Sequence, residues 1–172
     1  MDYRIKEQAG FSPKIGELVS MLDYTRAVTL ADVAGLSIEQ LDYLAEGDSN
    51  SIGALLMHMA AIEFVHQVIT FENRDLTAQE LETWLVPLEL GDKARSEIRN
   101  RPLDDYVAEL KKIRDKTLSL LGNVDDSWLY EEGQYDNGAT YNKYYLWFHV
   151  VEDETSHRRQ IRILKRMLEK RK

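Results

Sequence analysis

Apolar residues recur at a 3.6-residue period in four long stretches, and little interrupts them: 172 residues contain three prolines and nine glycines. Such a chain must bury four amphipathic stripes against one another, which a helical bundle does. Ser12-Pro13 reads as a helix start, since serine caps free N–H groups and proline suits the first turn. Ile15, Leu18, Val19, Leu22 and Ala27 then carry a first helix over roughly 13–33. Ser37 to Gln40 is a capping box opening a short helix with Leu41 and Leu44. Gly47 to Ser51 is loop and cap chemistry. A second long helix spans roughly 52–71, with Ile52, Leu55, Leu56, Met59 and Ile62 on one stripe. Thr77 to Glu80 is another capping box, heading a short helix that Pro87 is expected to end. Pro102 opens the third long helix through Leu103, Tyr106, Leu110, Ile113 and Leu120, and Gly122 stops it. The segment 123–141 reads mainly as loop, with Asp136-Asn137-Gly138 as a turn or short hairpin. The last helix runs over roughly 140–170. The expectation is one all-α domain over 1–172, a four-helix bundle with short connecting helices.

Composition narrows the function classes. The net charge of −8 argues against broad binding to nucleic acid or an anionic membrane. The one basic cluster, Arg158 to Lys172, can act only locally. No run of about 18 apolar residues is evident, so no membrane-spanning helix is expected. Met1-Asp2-Tyr3-Arg4 lacks an apolar signal core, which points to the cytoplasm. The absence of cysteine removes disulfides, thiolate metal sites and a cysteine nucleophile.

All four histidines fall on two long helices: His58 and His66 on the second, His149 and His157 on the last. A single helical histidine is usually a packing or surface residue, so spacing has to decide. Residues four apart share a helix face and can converge on one ion. Asp153 and His157 satisfy this, as do His149 and Asp153. His149 and His157 lie eight residues apart, about 12 Å along the axis, too far for one metal with bonds near 2 Å. The same holds for His58 and His66. At about 100° per residue His157 lies with Val150, Glu154 and Ile161, and His149 sits nearer the edge. His58 flanks the stripe of Leu55, Met59 and Ile62. The candidate metal site is therefore His58, Asp153 and His157, with water in the open positions. Such mixed ligation suits Zn, Ni, Fe, Mn or Co without selecting among them.

Two segments extend this reading. His149-Val-Val-Glu-Asp-Glu-Thr-Ser-His157-Arg-Arg-Gln160-Ile161 resembles the last-helix signature of the DinB/YfiT-like superfamily. Ser51-Ile-Gly-Ala-Leu-Leu-Met-His58-Met-Ala-Ala-Ile-Glu63 resembles its second-helix segment, and Tyr144-Tyr-Leu-Trp147-Phe-His149 fits the aromatic lead-in of its bacterial branches. The resemblance covers the whole chain in length and helix order. It implies an up-down-down-up four-helix bundle, often homodimeric. It also implies a divalent metal held by one second-helix histidine and two residues four apart on the last helix. His58 matches the first ligand and His157 the last; the middle ligand, usually histidine, falls on Asp153. Arg159 stands where glycine usually precedes the glutamine. Relatives include S-transferases using mycothiol or bacillithiol, a maleylpyruvate isomerase, and DNA-damage-induced proteins. The resemblance thus implies a metal-dependent enzyme acting on a low-molecular-weight thiol, with hydrolysis as the next choice.

Two other readings compete. Glu63-Phe-Val-His66 and Glu154-Thr-Ser-His157 are paired Glu-x-x-His motifs of the di-iron carboxylate kind, with Glu17 and Glu109 at comparable offsets, but Glu17 lies nearly opposite its stripe and Glu109 about 90° off its own. Alternatively the bundle is a non-enzymatic scaffold or dimerisation module whose histidines bond internally. If a pocket adjoins the site, Trp147, Tyr144 and Glu63 are candidates to line it, and His149 and Glu154 are candidate general bases.

Overall fold

Seven helices carry the chain in a computed structural model describing residues 3–45 and 49–170. The four long helices are α1 (Pro13–Val33), α3 (Ile52–Gln67), α6 (Leu103–Leu121) and α7 (Lys143–Glu169). The short ones are α2 (Ile38–Leu41), α4 (Ala78–Glu89) and α5 (Gly91–Glu97). A π-helical turn, Val68–Glu72, prolongs α3, and a 3-10 turn, Asp126–Tyr130, precedes a hairpin of β1 (Glu132–Gln134) and β2 (Thr140–Asn142). The hairpin is antiparallel, with Gly133 opposite Tyr141.

Cross-helix pairings define the topology. Arg26 donates to the carbonyl of Leu110 and Arg114 to that of Leu22, so α1 and α6 are antiparallel. Arg158 reaches Thr25 and Arg162 reaches Asp32, so α7 runs parallel to α1. On α3, Glu63 meets Arg114 and Gln67 meets Thr117, which makes α3 parallel to α6. The result is up-down-down-up. Two parallel neighbours cannot be joined by a tight turn, and the segment carrying α4 and α5 supplies the return path between α3 and α6. Near the start of that parallel pair, Gly53 lets the Tyr106 ring close on α3, because an added Cβ would lie 2.6 Å from its hydroxyl.

The apolar interior is in two parts. One gathers Leu55, Leu56, Met59, Trp84, Tyr106, Leu110 and Ile161; the other Ile15, Leu18, Leu22, Leu121, Trp128 and Trp147. Between them lies a charged layer with one residue from each long helix. Arg26 pairs with Glu154 at 3.1 Å and with Glu63 at 2.9 Å; Arg114 pairs with Glu63 at 2.7 Å. Thr117 Oγ1 donates to Glu63 at 2.6 Å. All four charges are buried. Burial alone would raise the Glu63 carboxyl, but the guanidiniums of Arg114 and Arg26 and the Thr117 hydroxyl hold it down at about 2.

Several local expectations change. Ser12 takes the N-cap position of α1 without capping it; its hydroxyl donates to Asp126, whose Oδ1 also accepts the N–H groups of Lys14 and Ile15. Asp126 is thus a cap supplied from across the bundle, and not a merely solvated acid. Both predicted capping boxes form, at Ser37 and Thr77. The Ser51 hydroxyl caps α3; Gly47 and Asp48, read as loop, lie outside the described residues. Pro87 does not end α4, which runs on to Glu89 with the proline inside its last turn. In the segment 123–141 the short hairpin forms around Asp136-Asn137-Gly138 as expected, and a 3-10 turn takes part of what reads as loop. The stretch Ile52–Glu72 is long and apolar enough to cross a membrane by length and composition, contrary to the reading of the sequence. It is nevertheless the central core helix, 78% buried in the bundle, and it carries the paired Glu63.

Removing Glu63 would leave two buried guanidiniums short of a partner. Glu63→Gln is expected to cost about 3–5 kcal/mol in urea unfolding at neutral pH. Because the folded-state carboxyl titrates near 2 and its ordinary value is 4.5, its contribution is complete above 4.5 and is lost as pH falls toward 2. Wild-type stability should therefore drop over that window, and the Glu63→Gln protein should drop less steeply.

Candidate metal centre

Two long helices running in opposite directions bring the site together. His58 stands on α3, and Asp153 and His157 stand one turn apart on α7. Asp153 Oδ1 lies 3.5 Å from His58 Nε2 and 3.3 Å from His157 Nε2. The two imidazole centroids are 4.6 Å apart with their planes at 77°. One ligand atom from each residue falls within 4.8 Å of the others, so the group can hold a metal ion.

The ring of His58 is oriented from behind. Its Nδ1 lies 2.8 Å from the carbonyl of Pro87, which can only accept, so the proton sits on Nδ1 and Nε2 faces Asp153. That carbonyl is available because the last carbonyls of a helix have no partner within it. The persistence of α4 past Pro87 is what delivers it. Gln160, one turn beyond His157, sits 3.2 Å from His157 Nδ1, and its amide can present either an N–H or an oxygen there.

Electrostatics favour a cation at this point. Burial disfavours a charged His58, yet the hydrogen bond and charge of Asp153, with the carbonyls of Pro87 and Leu88, raise its pKa overall. Burial likewise opposes a charged Asp153, but His157 and His58 hold its carboxyl well below the usual carboxylate range. Asp153 Oδ2 is buried and has no hydrogen-bond partner within the protein. An ion at tetrahedral bonds of about 2 Å sets neighbouring ligand atoms about 3.3 Å apart, and both nitrogen–oxygen separations match that spacing. The donor set therefore fits a d-block divalent ion.

The match of the sequence to the mycothiol-S-transferase family model runs over residues 17–169. The chain belongs to the mycothiol-S-transferase family. This is a DinB-like family, in agreement with the resemblance seen in the two motif segments. A Streptococcus pneumoniae protein solved by crystallography in a structural-genomics programme shares the fold. It superposes with a TM-score of 0.67 over 88% of this chain and 90% of its own, at 15% identity. No curated protein sequence matches.

The remaining candidates fall elsewhere. Glu63 and Glu154 are bound into the buried charge layer by Arg26 and Arg114, so the two Glu-x-x-His pairs do not converge as a di-iron site. Glu109 pairs with Lys112 on the flank of α6. Glu154 is thereby unsuited to act as a base, and His149 is half-exposed beside Glu152. Trp147 is fully buried in the core with its indole N–H on Thr70; Tyr144 packs edge-on against Tyr130. A cleft of about 780 Å³ lies between α3, α4 and α6 with Phe64 and Trp84 stacked in its wall. Pro87, whose carbonyl holds the His58 ring, is among its lining residues. The spacing arithmetic missed the Pro87 carbonyl, because a backbone acceptor leaves no signature in side-chain pattern.

His58→Ala and His157→Ala should each abolish tight zinc uptake, read by equilibrium dialysis with elemental analysis, while far-UV circular dichroism retains most helicity. Unchanged metal content in both variants would remove the site.

Proposed function

We propose that this chain is a divalent-metal-dependent S-transferase that joins a low-molecular-weight thiol of the mycothiol class to a small electrophile. His58, Asp153 and His157 hold the ion in this reading. The observation that carries it is one carboxylate oxygen set at 3.3 and 3.5 Å from two imidazole nitrogens of different helices. Family membership supports the thiol as the nucleophile's source.

When bound, the ion supplies Lewis acidity that lowers the pKa of a thiol toward neutrality. The chain's own residues arrange the rest. Pro87 holds the His58 ring, and the helical turn between Asp153 and His157 keeps their donor atoms on one face. Asp153 in place of a third imidazole adds a negative charge, which weakens that Lewis acidity and favours harder ions within the Zn, Ni, Fe, Mn and Co group. In the transfer, the thiol releases its proton to solvent, sulfur bonds to the electrophilic carbon, and the leaving group departs with its electron pair. The reading places the enzyme in the cytoplasm, where small thiols stay reduced. It also has the enzyme acting as a homodimer.

The test is thioether formation from mycothiol or bacillithiol and monochlorobimane, followed by mass spectrometry, on protein purified without chelator. Metal-loaded protein should form product, and chelated protein and Asp153→Ala should lose at least about 100-fold in rate. Equal rates with and without metal would overturn the assignment.

A further inference from the structure

The antiparallel register that brings His58 to His157 does the same for the other two histidines. Eight residues further along α3 is His66, and eight residues back along α7 is His149. Their ring centroids are 5.7 Å apart. Two imidazoles sharing one ion through bonds of about 2 Å have centroids about 4.5–6.5 Å apart as the angle between them opens from right to straight. The pair sits inside that range, as does the first pair at 4.6 Å.

In both rings Nδ1 is engaged, which leaves Nε2 for a ligand. His66 Nδ1 lies 2.7 Å from the carbonyl of Ile62, which only accepts, so its proton is on Nδ1 and its lone pair on Nε2. Burial keeps His66 in the neutral, ligating form. His149 Nδ1 faces the Glu152 carboxylate at 3.3 Å, which leaves Nε2 as its donor atom. A backbone carbonyl behind one imidazole and a carboxylate behind the other is the support that metal-bound histidines use. His66 meets the edge of Trp147, and Tyr145 stacks on His149 with planes 10° apart, so both rings are backed by aromatics. A π-helical turn begins at Val68, two residues after His66, and such turns concentrate at functional positions.

We propose that His66 and His149 form a second cation site on the α3–α7 seam, taking a d-block divalent ion such as Zn(II) or Cu(II) through two Nε2 atoms and solvent. Imidazole ligands exclude Mg and Ca. Two turns of helix, about 12 Å, separate this site from the first, so the two ions do not form a bridged pair. With two protein ligands it binds more weakly than the three-ligand group.

Zinc titration of the full chain, by calorimetry and by dialysis with elemental analysis, separates the two sites. Wild type should take up a tight ion and then a weaker one. His149→Ala, at a half-exposed position, should keep the tight step and lose the weak one, and Glu152→Gln should weaken it about 10-fold. His58→Ala should do the converse, so failure of the three-ligand reading and failure of this one give different patterns. In protein labelled with 15N-histidine, the Nε2 signals of His66 and His149 should move together with the second equivalent of zinc. A single binding step in wild type, or a second step that survives His149→Ala, would overturn the proposal.

Discussion

Four buried charges on four helices set the register on which everything else in this bundle depends. Arg26, Glu63, Arg114 and Glu154 balance to neutrality, and their remaining donors are taken by the carbonyls of Leu110 and Leu22. An apolar interface tolerates small slips, because one leucine packs nearly as well as another. A buried guanidinium does not, since moving away from its carboxylate leaves a charge unpaired in a low dielectric. Glu154 immediately follows Asp153, and Glu63 lies little more than one turn beyond His58. Locking the first pair of residues therefore aligns the second.

That alignment produces a place suited to a cation. Asp153 stands between two imidazoles, one of which is obliged by the Pro87 carbonyl to direct Nε2 at the carboxylate. Without a proton or a metal between them, a nitrogen lone pair would face a carboxylate oxygen. Either occupant relieves this, which is why the same geometry that raises His58 also suits a metal ion. In the proposed site, aspartate at position 153, where the resemblance implies histidine, keeps the ligand count and changes the charge. It makes the site a better cation trap and a weaker Lewis acid than a three-imidazole centre.

Much of this was legible beforehand. The periodic stripes located all four long helices to within a few residues, and spacing of four with the 12 Å objection reduced four histidines to one candidate group. The charged layer was not read, although its sign was present: Arg26, Glu63, Arg114 and Glu154 each fall four residues after a buried apolar position of their own helix. For Glu63 the pattern allows a pocket or di-iron role as readily as a salt bridge, because periodicity tells that a side chain points inward, and not what meets it there. Asp126 gives no local sign of its capping role, because its partners, the first turn of α1, are more than a hundred residues away. Pro87 was read by its local rule, but it sits in the last helical turn, where few bonds remain to be lost.

Helix number, helix length and the faces that must be buried are local properties, carried by period, caps and breakers within each segment, and the sequence by itself determined them. Which helix lies beside which, and at what register, is a property of pairs. Periodicity leaves open which helices run parallel, and the tertiary structure sets α3 parallel to α6 and antiparallel to α7, the order that the family resemblance implies. The reason is physical: apolar stripes are interchangeable partners, whereas salt bridges and shared ligand atoms demand particular distances between residues far apart in the chain.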